Sequence, residues 1–322
     1  QMQKILIIRF SSIGDIVLTS PILRAIKTQQ PDTEIHYITK KAYAATLENN
    51  PHIDKLFLLK DKLSDILPLL KKEQYDFIID LHKNLRSLRI KSYLKKPTAS
   101  FDKLNRQKWL LVRFKKNRMP NVHIVQRYFD TLKAIGVTND HKGLEYYSGL
   151  EKQKSIKGLE ESIQNNFAAL VIGGTYFTKQ IPEEKLNELI SKISIPVVLL
   201  GGKGDLEIAE KVAKGHPQKV FIAAGKSNLN ESAEIIRRSQ FVVSSDTGLM
   251  HIAAAYQKKI YSIWGNTVPE FGMYPYMPEN CEYSVILEVK NLKCRPCSKL
   301  GYNNCPKKHF DCMMKQDFSV IG

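Results

Sequence analysis

The stretch that decides the fold is Lys4-Ile5-Leu6-Ile7-Ile8-Arg9-Phe10-Ser11-Ser12-Ile13-Gly14-Asp15. An apolar, β-branched run ends in two serines and a glycine, and an amphipathic pattern takes over from residue 15 to 29. That is a strand, a tight loop and a helix, the opening of a βα unit. Pro21 falls inside the helical part, where it removes an amide donor and crowds the preceding turn, so it should kink the helix or delay its regular portion. Outward from this unit the alternation continues. Further strands are expected at 34–38, 55–59, 76–81 and 98–101, with helical patterns near 41–49, 62–73 and 85–95 and a longer helix at 122–135. Alternating strands and helices imply an α/β fold with a parallel sheet.

A charged stretch at 139–166, with Lys142, Glu151, Lys152, Lys154, Lys157, Glu160 and Glu161, interrupts the apolar periodicity. The expected division is therefore a domain at 1–155 and a second at 156–322. The pattern then restarts, with strands at 168–172, 197–200, 220–222, 241–244 and 259–264 and helices at 182–192, 205–214, 230–239 and 247–256. Two Rossmann-like halves should leave a cleft between the C-terminal edges of their sheets, which is where open α/β sheets bind ligands.

The 322 residues are 43% hydrophobic and 25% charged, with 17 Gly and 14 Pro, which excludes collagen-like, disordered and disulfide-miniprotein classes. No run reaches the roughly 18 apolar residues of a membrane span, and residues 5–10 are too short for a signal-peptide core, so a cytoplasmic location is expected. Gln1 ahead of Met2 reads as a cloning remnant.

The net charge of +17 is lopsided: residues 1–160 hold 30 basic and 16 acidic side chains, residues 161–322 only 19 and 16. Residues 83–118 alone hold 13 basic side chains against the single Asp102, with Tyr93, Phe101, Trp109 and Phe114 interspersed. Either an anionic partner docks there, or the patch is a solvated basic surface, or it merely favours anionic membranes. Nucleic acid is not the expected partner, because no zinc-finger, RNP or basic-zipper pattern is present.

Four loops follow strands and could carry chemistry. In the first, Asp15 is either a helix N-cap or a general base. The second, Ile172-Gly173-Gly174-Thr175-Tyr176-Phe177-Thr178-Lys179, has glycines for close backbone approach and a hydroxyl and an ammonium suited to a diphosphate, although an ordinary turn reads the same way. The third, Gly201-Gly202-Lys203-Gly204-Asp205-Leu206-Glu207, offers an acid for a ribose or a base edge, although a flexible glycine-rich turn before a helix reads the same way. In the fourth, Ser244-Ser245-Asp246-Thr247-Gly248-Leu249-Met250-His251, a carboxylate and the free amides of Thr247 and Gly248 meet at a helix N-terminus, a natural anion site. His251 reads as a packed residue one turn deeper. Neither a Gly-x-Gly-x-x-Gly fingerprint nor a Walker A spacing occurs, which disfavours a nicotinamide or flavin oxidoreductase. All five cysteines follow residue 280. The set Cys294, Cys297, Cys305, His309 and Cys312 has a spacing that could close a zinc site, or it is a group of reduced thiols tying down the tail; Cys281 stands apart, and either reading is structural.

The joint order of these pieces resembles glycosyltransferase family 9, the ADP-heptose:lipopolysaccharide heptosyltransferases. The resemblance rests on residues 7–15, the Gly174-Thr175 to Lys179 loop, the Gly201-Gly202 turn and residues 244–254 through Ile252-Ala253-Ala254, and the Cys-rich tail looks like one seen in some members. It implies a GT-B architecture, two Rossmann-like domains with parallel sheets facing a central cleft, acceptor on the first and nucleotide sugar on the second. Asp15 would deprotonate the acceptor hydroxyl, with Ser11 and Ser12 binding the acceptor beside it. Thr175 and Lys179 would hold the diphosphate, Asp246 the transferred sugar, the Thr247 and Gly248 amides the adjacent phosphate, and Asp205 or Glu207 the ribose. Members often carry a second small hydroxyl residue where Gly174 stands, so one phosphate contact here would be backbone only.

On that resemblance the expected activity is inverting transfer of heptose from ADP-heptose to a lipopolysaccharide inner-core acceptor. Lys95, Lys96, Lys115 and Lys116 would meet the anionic acceptor, and the enzyme could touch the cytoplasmic face of the inner membrane. No Asp-x-Asp occurs, so no catalytic metal and no cofactor are expected. The alternatives are a UDP- or GDP-sugar transferase of cell-surface glycan assembly, or a GT-B protein that binds an anionic glycan without turnover.

Overall fold

The computed structural model describes residues 3–163, 165–279, 281 and 283–321. Gln1, Met2 and, within the charged stretch, Gln164 lie outside them. The chain divides into two units, Gln1–Lys103 with Val122–Tyr147, and Leu104–Asn121 with Ser148–Gly322. The boundary therefore precedes the expected 155/156, and residues 104–121, expected in the first domain, pack in the second. The reason is one apolar stripe: Leu111 is buried with Val268 and Phe271, and Val112 and Met119 pack against that group.

In the first unit, β1 (Lys4–Ile8), β2 (Glu34–Lys40), β3 (Lys55–Leu59), β4 (Phe77–Asp80) and β5 (Thr98–Ser100) form one parallel sheet in the order β3-β2-β1-β4-β5. Central β1 has Ile5, Leu6, Ile7 and Ile8 fully buried, as a strand covered on both faces requires. Pro21 acts as its chemistry dictates. A short helix Ile13–Val17 ends, and a second, Ser20–Gln29, starts with the proline in its first turn, where no amide donor is needed. Two expected helices differ: 41–49 is a 3-10 turn over Lys41–Thr46, and 122–135 is a helix Ile124–Phe129 continued as 3-10 to Ile135.

The second unit has six parallel strands, β6 (Ala168–Val171), β7 (Val197–Leu200), β8 (Val220–Ile222), β9 (Phe241–Ser245), β10 (Lys259–Trp264) and β11 (Ser284–Glu288), in the order β11-β10-β9-β6-β7-β8. Its helices Glu183–Lys192, Leu206–Gly215, Leu229–Arg238 and Gly248–Ala255 match the expected ones within a residue or so. The Cys-rich tail completes the core, since Phe310, Cys312, Met313, Phe318 and Ile321 are buried in one cluster with Leu186, Val243 and Ile263.

Both sheets have a switch point, where successive connections leave in opposite directions: between β1 and β4 in the first unit, between β6 and β9 in the second. The crevice at the C-terminal ends of such strands is the expected ligand site of a doubly wound sheet.

Candidate active site

At the first switch point, β1 runs into Arg9, Phe10, Ser11 and Ser12. Ser12 is the N-cap of helix Ile13–Val17, and Asp15 stands three residues on, so Asp15 is not itself the cap. Its Oδ2 accepts from the Ser12 hydroxyl at 2.8 Å and the Ser12 amide at 3.3 Å, as the reciprocal arm of a capping box does. Its Oδ1 lies 2.7 Å from Nη2 of Arg9. The Arg9 side chain is buried and itself fixed: Nε donates to the Ser11 carbonyl at 2.7 Å, and Nη1 donates to the carbonyl of Leu81, just past β4, at 2.6 Å. A guanidinium held by carbonyls that follow both central strands thus aims one carboxylate.

The surroundings are electropositive. Burial, then Arg9 and Lys103, push the His82 imidazole down to about 4, so this ring is neutral at pH 7. Burial and then Arg9 also lower the Lys103 ammonium. Asp80 at the end of β4 is buried, pairs with Lys91 at 2.8 Å and accepts from the amides of His82 and Lys83, which fixes that loop.

At the second switch point, the loop after β6 turns into a 3-10 segment Phe177–Lys179, and the loop after β9 carries Asp246. Lys179 Nζ lies 2.6 Å from Asp246 Oδ2. The same oxygen accepts from the Thr267 hydroxyl at 3.1 Å, and Thr267 follows β10. Thr247 caps helix Gly248–Ala255, and its hydroxyl is 3.0 Å from that of Ser244. The first amides of that helix have no intrahelical acceptor and sit beside a lysine, a setting for phosphate oxygens. Thr175 is exposed on the same loop as Lys179, and His251 is buried, as a packed residue would be. Asn266 is almost fully buried, with neither amide atom hydrogen-bonded.

The third loop separates its two acids. Asp205 turns back on its own loop, where Oδ2 accepts from the Gly202 amide at 2.7 Å. That oxygen lies so close to Gly173 that a Cβ there would come within 2.4 Å of it, so the glycine of one loop makes room for the acid of the next. Glu207 is exposed on helix Leu206–Gly215 and pairs with Lys211 at 3.0 Å.

Residues 67–303 match the model of glycosyltransferase family 9 (heptosyltransferase). The chain belongs to glycosyltransferase family 9. Among curated relatives it is 26% identical over 291 residues to lipopolysaccharide heptosyltransferase 1 of Campylobacter coli, covering 82% of this chain and 84% of that one. It is 25% identical to lipooligosaccharide heptosyltransferase 2 of Haemophilus influenzae over 92% of each chain. In fold it resembles the E. coli heptosyltransferase WaaC solved with ADP, with a TM-score of 0.69, 21% identity and coverage of 88% and 92%. It also resembles E. coli ADP-heptose lps heptosyltransferase II, with a TM-score of 0.69, 17% identity and coverage of 97% and 98%. The α/β fold of paired parallel sheets is thus the GT-B type of these heptosyltransferases, and the protein is a glycosyltransferase.

In this family 9 transferase the four lysines expected at the acceptor divide between the units. Lys95 and Lys96 are exposed after helix Leu85–Leu94 in the first, and Lys115 and Lys116 follow helix Asn105–Phe114 in the second. Lys115 is engaged: its ammonium donates to the carbonyls of Val112, Cys294 and Pro296 at 2.7, 3.2 and 2.6 Å. In the tail, Cys294 Sγ lies 4.0 Å from His309 Nε2, yet no three ligand atoms of the cysteine–histidine set come within 4.8 Å of one another. The only such group among the described residues is Glu34, His36 and Glu73, whose carboxylates already pair with Lys4 and Lys55. Arg9, Thr267 and Asn266 were not singled out from the sequence. The loop Gly265-Asn266-Thr267 follows a strand as the other four do, and that was its only signal.

Proposed function

We propose that this glycosyltransferase moves heptose from ADP-heptose to an inner-core acceptor of lipopolysaccharide, with inversion and without a catalytic metal, at the cytoplasmic face of the inner membrane. The observation that carries the donor half is the Lys179–Asp246–Thr267 group at the switch point of the second sheet, beside the N-terminus of helix Gly248–Ala255. The names of the relatives support the sugar and the acceptor class.

In the reaction the acceptor oxygen bonds to the anomeric carbon as the bond from that carbon to the β-phosphate oxygen breaks. ADP departs with the bonding pair, and the acceptor proton goes to Asp15. Negative charge grows on the diphosphate, where the Lys179 ammonium, the Thr175 hydroxyl and the amides of Thr247 and Gly248 stabilise it. A fixed cation and a helix terminus supply the charge that an Asp-x-Asp-bound metal supplies elsewhere, which supports metal-independent transfer. Asp246, steadied by Thr267, meets the heptose hydroxyls. Asp205 is better placed for the ribose than Glu207, whose carboxylate is drawn to Lys211. Ser12 and Arg9 hold Asp15 toward the acceptor hydroxyl, with Ser11 on the same loop. Lys95, Lys96 and Lys116 are the lysines with freedom to meet acceptor anions.

The test is calorimetric titration of wild type and Asp246→Ala with ADP, UDP, GDP and ADP-heptose in EDTA. Tighter binding of ADP-heptose than of ADP, with the difference lost in Asp246→Ala, is the expected result. Binding confined to UDP or GDP ligands would move the donor to another class. No nucleotide binding at all would leave a glycan-binding protein.

A further inference from the structure

Helix Asn105–Phe114, which ends just before Lys115 and Lys116, carries none of the donor or proton-accepting groups just described, and its two faces are unlike. The inner face is the buried Leu111, seated against Val268 and Phe271, and its C-terminal end is moored by the three carbonyl contacts of Lys115. On the outer face Trp109 and Phe114 are each 53% exposed and meet edge to face with ring centroids 5.1 Å apart. Around them Arg106, Arg113, Lys116 and Arg118 are exposed, and no acidic residue occurs anywhere from 104 to 121.

We infer that this outer face is a docking surface for a bilayer leaflet with anionic lipid headgroups, entered by the Trp109–Phe114 pair and held by the surrounding arginines and lysines. Two large aromatic rings paired in water are out of place on a surface that only repels itself from other proteins. At a lipid–water boundary the same rings sit in the headgroup layer, where an indole keeps its N–H hydrated and buries its apolar body. Arginine and lysine stems can lie along the apolar layer while their charges reach phosphates. No described helix is long and apolar enough to cross a membrane, so the contact is in the plane of the surface. The inference rests on the lipid-linked acceptor of the proposed reaction, since a transferase held at the leaflet meets that acceptor in two dimensions. Its physical basis is the helix surface itself.

Trp109 is also the probe. The only other tryptophan, Trp264, is 1% exposed, so a change of indole emission on adding vesicles reports Trp109. The full chain is mixed with vesicles of phosphatidylcholine alone, or of phosphatidylcholine with phosphatidylglycerol, and scored by sedimentation and emission. The expected result is binding and a blue shift with the anionic vesicles only, weakened by salt. Partition should fall about tenfold in the double variant Trp109→Ala/Phe114→Ala and in Arg106→Glu/Arg113→Glu. ADP binding, measured on the same samples, should stay at the wild-type value and so exclude misfolding.

Wild-type partition in both variants, or the absence of a blue shift, would overturn the inference. So would an equal shift with heparin in place of vesicles, which would make this a surface for soluble polyanions. Vesicle binding without any ADP-heptose binding would leave the surface standing and remove the donor assignment.

Discussion

The Lys179 ammonium and the Asp246 carboxylate lie 2.6 Å apart on the loops that leave the two strands flanking the switch point of the second sheet. The cation proposed for a diphosphate is thus held in place by the acid proposed for the sugar. Exchange of one partner for the other involves little movement. Lys179→Ala should weaken ADP binding by roughly ten- to a hundredfold, the range of a lost charge-assisted hydrogen bond. Asp246→Asn frees the lysine, so ADP should bind at least as tightly as to wild type while ADP-heptose loses affinity. Calorimetry with both ligands distinguishes these, and a parallel loss of ADP affinity in Asp246→Asn would contradict the assignment.

Asp15 and Arg9 should separate by readout. Asp15→Asn removes the proposed proton acceptor and should lower kcat by about 10²- to 10⁴-fold with ADP-heptose affinity unchanged. Arg9→Met takes away the donor to Asp15 and to the Leu81 and Ser11 carbonyls of a buried site, so stability should fall by roughly 2–4 kcal/mol together with kcat. Urea unfolding beside steady-state kinetics tests both. An Arg9→Met protein of wild-type stability would mean that the guanidinium contacts carry little.

The His82 ring, pushed down to about 4 by burial and by Arg9, makes stability depend on pH. Unfolding returns it to its ordinary value near 6.5, so below that pH the unfolded chain binds a proton that the folded one refuses. The contribution is complete above about pH 6.5 and declines as pH falls toward about 4. Thermal midpoints from pH 7.5 to 4.5 should drop less steeply in His82→Gln than in wild type, and parallel curves would remove the effect.

Gly173 gives a test of the proposed ribose contact that leaves Asp205 itself unaltered. Alanine there would place its Cβ 2.4 Å from Asp205 Oδ2, and the carboxylate must move. ADP should bind Gly173→Ala several-fold more weakly, with little change for inorganic diphosphate, which lacks a ribose. Equal losses for both would point to distortion of the phosphate loop instead.

Ten of the eleven strands and the first four of the loops that carry the site were legible because buried parallel strands are short, continuous apolar runs and those loops carry glycine and hydroxyl residues. Helix Asn105–Phe114 was hidden by its place in the basic stretch: its five apolar residues, Trp109, Leu110, Leu111, Val112 and Phe114, are bunched toward one end, and only Leu111 is deeply buried. Edge strand β11 was missed for a related reason, since only Leu287 of its five residues is buried. Asp15, Lys179 and Asp246 announce themselves by local context, whereas their partners do not. Arg9 reaches Asp15 only because the intervening loop doubles back, and Thr267 meets Asp246 from 21 residues away through the pairing of β9 with β10. Spacing does not encode such meetings, but sheet order does.

The loan of residues 104–121 to the second unit also sets an order of events during synthesis. Leu111 leaves the ribosome long before Val268 and Phe271, its partners, and at about 5–20 residues per second the delay is on the order of 8–30 s. Throughout it residues 104–121, with their six basic side chains and no acid, wait without the partners that bury Leu111.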